Sequence, residues 1–349
     1  MAFTDVYGHA GPIAQLENNI RQDRIAGAYL FTGPGGIGKS LVAMNFAKAL
    51  NCLENSGDAC DSCPSCLAVD AGRHPDVHII DKQKLDAARP EYGAGPATAA
   101  QQSPAAGDAA RKNKSLEIRI EDIRWLQQEI CLKPYQARYK VFIINDAHNL
   151  NAESSNAFLK TLEEPPRASI IILVTDKPRL LYRTIVSRCQ TVKFAGLSRV
   201  LMDEILRERL SLDEPSLRYL TAFYEGRVGR ALGSGGKDII AEKNRVIDFF
   251  LTAPNPSVEH SFIQDRLQLK SSLQVLATWF RDVYLCKAGI AAHECANADR
   301  SRLLEQQAQS YSFAQLDGIM QTLSDALGFA EHNVNTKLLI GTVLFTMRR

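Results

Sequence analysis

Residues 28–40, AYLFTGPGGIGKS, constrain the fold of this chain more than any other stretch. The apolar run 28–31 predicts a buried strand, and apolar residues at helical spacing follow the loop. Between them stands G-x-x-x-x-G-K-S, in which backbone N–H groups can surround phosphate oxygens, Lys39 can reach the outer phosphates and Ser40 can contact Mg²⁺. A chance glycine turn is the alternative. The motif predicts an ATP and Mg site formed by Gly33, Pro34, Gly35, Gly36, Ile37, Gly38, Lys39 and Ser40.

Strands and helices alternate after this loop. Apolar runs and helical periodicity predict strands at 76–80, 141–144 and 170–174 and helices at 118–130 and 154–162. Alternation that begins with a phosphate loop is typical of an α/β domain whose parallel sheet binds the nucleotide at the carboxyl ends of its strands. A stretch rich in Ala, Gly, Pro and Gln, about 84–115, predicts a flexible insertion.

Four of the eight cysteines lie within residues 52–66, CLENSGDACDSCPSC. Two Cys-x-x-Cys steps can aim three thiolates at one point, and a fourth thiolate completes a tetrahedron, which suits structural Zn. A redox dithiol or a metal-free thiol cluster is the alternative. His74 and His78 are expected at the surface rather than as ligands, and the other cysteines are expected to be packed or incidental. The predicted zinc ligands are Cys52, Cys60, Cys63 and Cys66.

Composition restricts the remaining possibilities. The 349 residues, 45% of them hydrophobic, can bury a sizeable core and favour two or three domains. A net charge of +2 is too small to indicate a large nucleic-acid surface. The amino-terminal residues do not have the pattern of a signal peptide, and the apolar runs are too short to span a bilayer, so we expect a cytoplasmic protein without membrane contact.

Asn145 and Asp146 follow the predicted strand 141–144, where a nucleotide-hydrolysing enzyme usually presents an acidic pair. The amide oxygen of Asn145 can still accept from a ligand, but it brings no charge to Mg²⁺, which prefers carboxylate and phosphate oxygens. Phosphoryl transfer depends on positioning and on stabilisation of charge. The loop predicts ATP binding, and this pair predicts that the bound ATP is hydrolysed weakly or not at all.

Six segments in order, GPGGIGKS, the cysteine cluster, KVFIINDAHNLN, SSNAFLKTLEEPP, ILVTDKP and IVSRC, resemble the clamp-loader branch of the AAA+ ATPases. The likeness covers roughly residues 1–240. It implies an AAA+ domain at 1–195, a helical lid at 196–236 and an all-α collar at 237–349. It also implies a hetero-pentamer with other clamp-loader subunits, which uses ATP to place a sliding clamp on primed DNA.

The resemblance also implies roles for single residues. Motor subunits of this family carry Asp-Glu where this chain has Asn145-Asp146, and a γ-phosphate-sensing arginine where Gly229 stands. Thr175 matches a polar sensor at the end of a central strand. Arg188, in SRC, matches an arginine finger that reaches the ATP of a neighbouring subunit. The pattern favours a subunit that completes a neighbour's site over one that turns over its own ATP.

Alternatives remain open at this point. A motor subunit of the same family would show robust ATP turnover alone, and an independent AAA+ remodelling ATPase would form a ring of identical chains with a complete acidic pair. A scaffold without nucleotide would leave Lys39 without a role. Arg188 itself could be an ordinary surface arginine. We expect His148 to be packed or hydrogen-bonded, and Glu163 and Glu164 to form a solvated helix end.

Overall fold

The computed structural model describes residues 2–54, 57–81, 117–233, 237–252, 266–330 and 335–348. The predicted insertion at about 84–115 lies outside these residues. Contacts divide the chain into two units, Met1–Gly196 and Leu197–Arg349. Each unit has hydrophobic clusters of its own. Within the described residues, no helix has the length and apolar character needed to cross a membrane.

The described part of the first unit is built on a sheet of five parallel strands, which confirms the predicted α/β class. The strands are β1 (Ala28–Thr32), β2 (Val77–Ile80), β3 (Lys140–Ile144), β4 (Ser169–Thr175) and β5 (Gln190–Lys193). Their order is β2-β3-β4-β1-β5, and every neighbouring pair is parallel. Thr32 lies opposite Thr175, so β1 and β4 end side by side. The carboxyl ends of the central strands therefore meet at one edge, where the phosphate loop begins.

Helices of the first unit cover both faces of this sheet. They are α1 (Ala10–Arg21), α2 (Lys39–Asn51), α3 (Pro64–Asp70), α4 (Ile120–Ile130), α5 (Ala152–Glu163) and α6 (Arg183–Val186), with short 3₁₀ turns at Phe3–Asp5, Ala147–Asn149 and Pro178–Leu180. Helices α4 and α5 lie within two residues of their predicted bounds. Successive strand residues point to opposite faces. Accordingly, Phe31 packs with Phe46 of α2, whereas Leu30 shares the other cluster with Phe158 of α5.

The elements that the structure describes in the second unit are all helical, as the predicted all-α part requires. Its helices are α7 (Arg199–Arg209), α8 (Glu214–Tyr224), α9 (Val228–Gly233), α10 (Lys237–Ile247), α11 (Arg266–Lys287), α12 (Ser301–Ser310), α13 (Phe313–Phe329) and α14 (Thr336–Arg348). A π-helical turn, Asp248–Thr252, follows α10, and 3₁₀ turns occur at Ala292–Glu294 and Ala298–Arg300. The predicted boundary at 236 falls in residues 234–236, which lie outside the described chain, and it stays a prediction.

Candidate functional site

The phosphate loop joins the end of β1 to the start of α2. Its glycines adopt backbone conformations that other residues rarely reach, with φ of +148° at Gly33 and +104° at Gly38, the residue before α2. A Cβ on Gly33 would lie 2.3 Å from the carbonyl oxygen of Phe194. Close packing against the residue after β5 therefore requires glycine at Gly33, and the turn into α2 requires it at Gly38.

Lys39 begins α2 and is held inside the loop. Only 6% of the residue is exposed. Its Nζ donates to the carbonyl oxygens of Gly33, at 2.8 Å, and Pro34, at 2.6 Å. A buried ammonium requires oxygen partners around it. The loop thus places a positive charge at the amino end of a helix, a setting that favours bound phosphate.

Ser40 and Asn145 are brought together from positions 105 residues apart. The Ser40 hydroxyl donates to Asn145 Oδ1 at 2.7 Å. Asn145 directly follows β3, and its backbone N–H donates to Ile80 O of β2 at 3.0 Å. The hydroxyl and the amide oxygen fit a hard cation such as Mg²⁺ by donor type, but neither is charged. Asp146, the next residue, is exposed and has a φ of +49°.

Thr175, at the end of β4, is buried and hydrogen-bonded. Its Oγ1 lies 3.2 Å from His148 Nδ1 and accepts from the backbone N–H of Lys177 at 3.0 Å. The hydrogen bond confirms the prediction made for His148. His148 Nδ1 also lies 3.5 Å from a carboxylate oxygen of Asp176. The sequence analysis missed Asp176, although it follows the end of β4 as Asn145 follows the end of β3.

His9 is a second residue that the sequence analysis missed. It precedes α1 with a φ of +59°, and its Nε2 donates to Ile37 O of the phosphate loop at 2.7 Å. Its ring lies edge-on to Phe194, with ring centroids 5.2 Å apart. His9 therefore supports the loop from outside the motif. No motif or spacing in the sequence pointed to this contact.

Arg188 lies shortly after α6 and is partly exposed, with 31% of its side chain accessible. Its Nε donates to Glu163 Oε1 at 2.8 Å, its Nη1 donates to Thr184 O at 2.9 Å, and its Nη2 also donates to Glu163 Oε1. We predicted that Glu163 is a solvated helix end. It does end α5 and is 48% exposed, which confirms that prediction, and its carboxylate is bound to Arg188.

The four predicted zinc ligands form one cluster. Their sulfur atoms all lie within 4.8 Å of one another, and the four residues are Cys52, Cys60, Cys63 and Cys66. Tetrahedral Zn–S bonds of about 2.3 Å place sulfurs roughly 3.8 Å apart, so the four sulfurs could hold one zinc ion. The Cys60 and Cys63 sulfurs accept backbone N–H groups from Cys63 and Cys66, at 3.3 and 3.4 Å. Four sulfur ligands would leave no open position, which suits a structural ion.

Lys48 of α2 ties the helix to this cysteine cluster. It is fully buried, and its Nζ donates to Asp70 Oδ2 at 2.8 Å and to Asp61 Oδ1. Burial alone would lower the pKa of Lys48, but hydrogen bonds to the two carboxylates outweigh burial and raise it. The ammonium is therefore charged at neutral pH and joins α2 to Asp61, which stands between Cys60 and Cys63, and to Asp70, which follows the cluster.

Of the two histidines near the cluster, His74 is not the surface residue that we predicted, and His78 is half-buried. His74 is buried and contacts Ser65 Oγ at 3.3 Å, and it accepts the backbone N–H of Asp76 at 3.1 Å. His78 lies in β2 and stacks on Phe142, with ring centroids 4.9 Å apart. The prediction failed because the local sequence around a histidine beside a short strand does not show which other elements will pack over it. Among the other cysteines, Cys286 and Cys295 lie together, with sulfurs 3.6 Å apart.

A family model described as "DNA polymerase III, delta subunit" matches residues 8–198 of the chain. The chain belongs to this family. A second model, "DNA polymerase III, delta subunit, C terminal", matches residues 255–348. The family assignment agrees with the predicted clamp-loader branch of the AAA+ ATPases.

Curated relatives agree with this assignment. The DNA polymerase III subunit delta' of Bacillus subtilis is 28% identical over 285 residues, which cover 78% of this chain and 76% of that protein. The tau subunits of Bacillus subtilis and Escherichia coli are each 33% identical over 236 residues, 66% of this chain. The chain spans only 36% and 32% of those two tau proteins.

A crystal structure of a DNA polymerase III gamma subunit-related protein from Thermotoga maritima has the same fold. It is 18% identical to this chain, with a TM-score of 0.50, and the match covers 96% of this chain and 98% of that one. At this identity the match shows the fold alone.

Proposed function

We propose that this chain is the delta-prime subunit of the DNA polymerase III clamp loader. In this role it binds ATP in the loop 33–40, hydrolyses it weakly or not at all, and lends Arg188 to the ATP of a neighbouring gamma/tau-type subunit. The match to subunit delta' of Bacillus subtilis extends over 285 residues, against 236 for the tau subunits, and supports this choice between the two subunit types.

The contact between Ser40 and Asn145 carries the proposal. Ser40 is the residue of the loop that would contact Mg²⁺, and its partner at 2.7 Å is a neutral amide oxygen. A carboxylate at this position would add a negative charge beside the cation. Ser40 and Asn145 would offer a cation only neutral oxygens, so this corner would compensate less of the charge of phosphoryl transfer. The loop and Lys39 supply the donors and the positive charge that bind the phosphates of ATP. The Mg²⁺ site at Ser40 and Asn145 lacks the carboxylate that supports hydrolysis.

Arg188, in contrast, can supply positive charge and N–H donors to a phosphoryl-transfer site. It is partly exposed, it follows the short helix α6 outside the phosphate loop, and its guanidinium presents a planar set of donors that matches phosphate oxygens. Arginines of this kind are worth about 10³–10⁵ in rate where they complete a phosphoryl-transfer site. The subunit therefore contributes to catalysis in the site of a neighbour within a hetero-pentamer that loads the sliding clamp on primed DNA.

The remaining cofactors follow from the same residues. Ser40 and Asn145 would hold Mg²⁺ beside the phosphates, with Asp146 and Thr175 near the end of the sheet as candidate catalytic residues of a weak ATPase. Cys52, Cys60, Cys63 and Cys66 would hold one structural zinc ion. That ion would stabilise the segment after α2 and take no part in the reaction.

The test measures ATP binding and turnover by the chain alone and in the reconstituted clamp loader. The purified chain should bind a labelled ATP analogue, and Lys39→Ala should abolish binding. Its own turnover should be negligible. In the complex, Arg188→Ala should lower clamp-dependent ATP turnover at least about tenfold, because the ATP site of the neighbouring subunit loses the Arg188 guanidinium. Arg167→Ala, an exposed arginine of the same unit, is the matched control.

The alternatives give different results. Vigorous turnover by the isolated chain would indicate a gamma/tau-type motor. A ring of identical chains with ATPase activity would indicate an independent AAA+ remodelling enzyme. Unchanged turnover in the Arg188→Ala complex would remove the finger from the proposal.

A further inference from the structure

The guanidinium of Arg188 is oriented by two groups of its own chain. Glu163 Oε1 accepts from Nε and Nη2, and the carbonyl oxygen of Thr184 accepts from Nη1. An arginine has five N–H donors, one on Nε and two on each terminal nitrogen. These three hydrogen bonds use one donor on each nitrogen. Among the described residues, one N–H on each terminal nitrogen has no acceptor and can bind a further one.

Glu163 occupies a position that the helix itself does not favour. It is the last residue of α5, where the helix dipole presents negative charge and a carboxylate is unfavourable. The helix is anchored at its other end, because Asn151 Oδ1 accepts the backbone N–H of Ser154 at 2.8 Å, and Phe158 and Leu162 are buried against the sheet. The backbone of Glu163 is therefore fixed, and its partner Arg188 accounts for a carboxylate at this helix end.

The ion pair between Glu163 and Arg188 is weak enough to release the guanidinium and strong enough to orient it. Both side chains are partly exposed, and exposed ion pairs contribute little free energy. Such a pair is too weak to keep an arginine from the several negative charges of a nucleotide triphosphate. It is sufficient to restrict the rotamers of a long side chain, whose free motion would have to be lost on reaching a phosphate.

We propose that Glu163 is a positioning residue for the arginine finger. It orients the Arg188 guanidinium from one edge, and the free N–H groups on the two terminal nitrogens then meet phosphate oxygens of a neighbouring subunit's nucleotide. This inference rests on the proposed function, because it requires Arg188 to act in trans. Thr184 O assists from the first turn of α6.

The first experiment compares Glu163→Gln with Glu164→Gln in the reconstituted complex. Glutamine keeps the shape of the side chain and removes its charge. Glu163→Gln should lower kcat for ATP about tenfold and leave KM unchanged, because a misplaced catalytic group costs rate rather than substrate binding. Glu164→Gln, which changes the neighbouring exposed glutamate, should leave both unchanged. A faster complex would show that Glu163 restrains the finger, and an unchanged kcat would also overturn the proposal.

A double-mutant cycle separates positioning from a general structural effect. In the Arg188→Ala background, Glu163→Gln should cause no further loss, because its effect passes through Arg188. Equal losses in both backgrounds would overturn the proposal. If Arg188→Ala itself changes nothing, the proposed function fails instead.

A measurement on the isolated chain keeps the inference testable in that case. The Arg188 Nε–H should give an exchange-protected ¹⁵N NMR signal that Glu163→Gln removes and Glu164→Gln retains. Absence of a protected signal in the unmodified chain would overturn the orienting role, whatever the complex does.

Discussion

At the scale of single residues, Asp76 shows how one buried carboxylate can hold a loop. Its side chain is 1% exposed and accepts the backbone N–H groups of Tyr135, Gln136 and Ala137, at 2.7, 2.9 and 3.0 Å. Burial alone would raise the pKa of Asp76, but the three hydrogen bonds outweigh burial and lower it. The charged form is thus the one that joins the start of β2 to the loop before β3.

We expect Asp76→Asn to destabilise the first unit at neutral pH. An asparagine amide cannot accept all three N–H groups, so the free energy of unfolding should fall by about 1.5–3 kcal/mol. Because the pKa is lowered in the folded state, this stabilisation is present above the ordinary value of 3.8 and is lost as pH falls through the lower folded value.

Urea unfolding followed by Trp125 fluorescence in a Trp279→Phe background, at pH 7 and well below pH 3.8, measures this difference. The gap between the two proteins should shrink at the lower pH. An equal gap at both pH values would show that the charge of Asp76 contributes nothing.

At the scale of elements, α2 connects the two candidate sites of the first unit. Its first residue, Lys39, lies inside the phosphate loop, and Cys52 follows its last residue. Between them, the buried Lys48 binds Asp61, which stands between Cys60 and Cys63, and Asp70, which follows Cys66. A change in the cysteine cluster therefore acts directly on the carboxyl-terminal half of α2.

We expect the purified chain to contain one zinc ion and Cys66→Ser to remove it. Cys66 is fully buried, so its loss leaves three ligands and a gap in the shell around the ion. The unfolding temperature should fall with the zinc content, because metal affinity contributes to folding.

Elemental analysis and calorimetry test this, with Cys131→Ser, an exposed cysteine outside the cluster, as the control. Full zinc content after each of the four Cys→Ser changes would rule out the site.

At the scale of the whole molecule, the two units have separate cores. The sheet of the first unit lies between two apolar clusters, and the second unit buries its own large cluster around Leu276, Trp279 and Phe280 of α11. The two tryptophans of the chain are divided between the units, Trp125 in the first and Trp279 in the second. Each unit can therefore be followed by its own fluorescence.

We expect Leu276→Ala to lower the free energy of unfolding of the second unit by about 2–5 kcal/mol, because it opens a cavity at a fully buried site. ATP-analogue binding by the loop 33–40 should be unchanged. Urea unfolding followed by Trp279 fluorescence in a Trp125→Phe background measures the first effect. Leu338→Ala, an exposed position in α14, is the control. Loss of nucleotide binding in Leu276→Ala would contradict separate cores.

Local patterns in the sequence were enough to predict the central parts of this protein. The phosphate loop, the apolar strands β3 and β4, the helices α4 and α5 and the four-cysteine cluster are each encoded within a short stretch. Backbone geometry imposes a period of two on strands and 3.6 on helices, and phosphate and zinc sites demand set residue types at set spacings. The family resemblance rested on the same segments.

The contacts that set side-chain directions could not be predicted in this way. Glu163 and Arg188 are 25 residues apart, His9 and Ile37 are 28 apart, and Asp76 and Tyr135 are 59 apart. Each pair is the result of where whole helices and strands pack, as is the position of β1 between β4 and β5. The sequence alone determined which groups are present and which element carries them. Only the tertiary structure decided which of them meet, because partners across a fold are selected by the packing of all its elements at once.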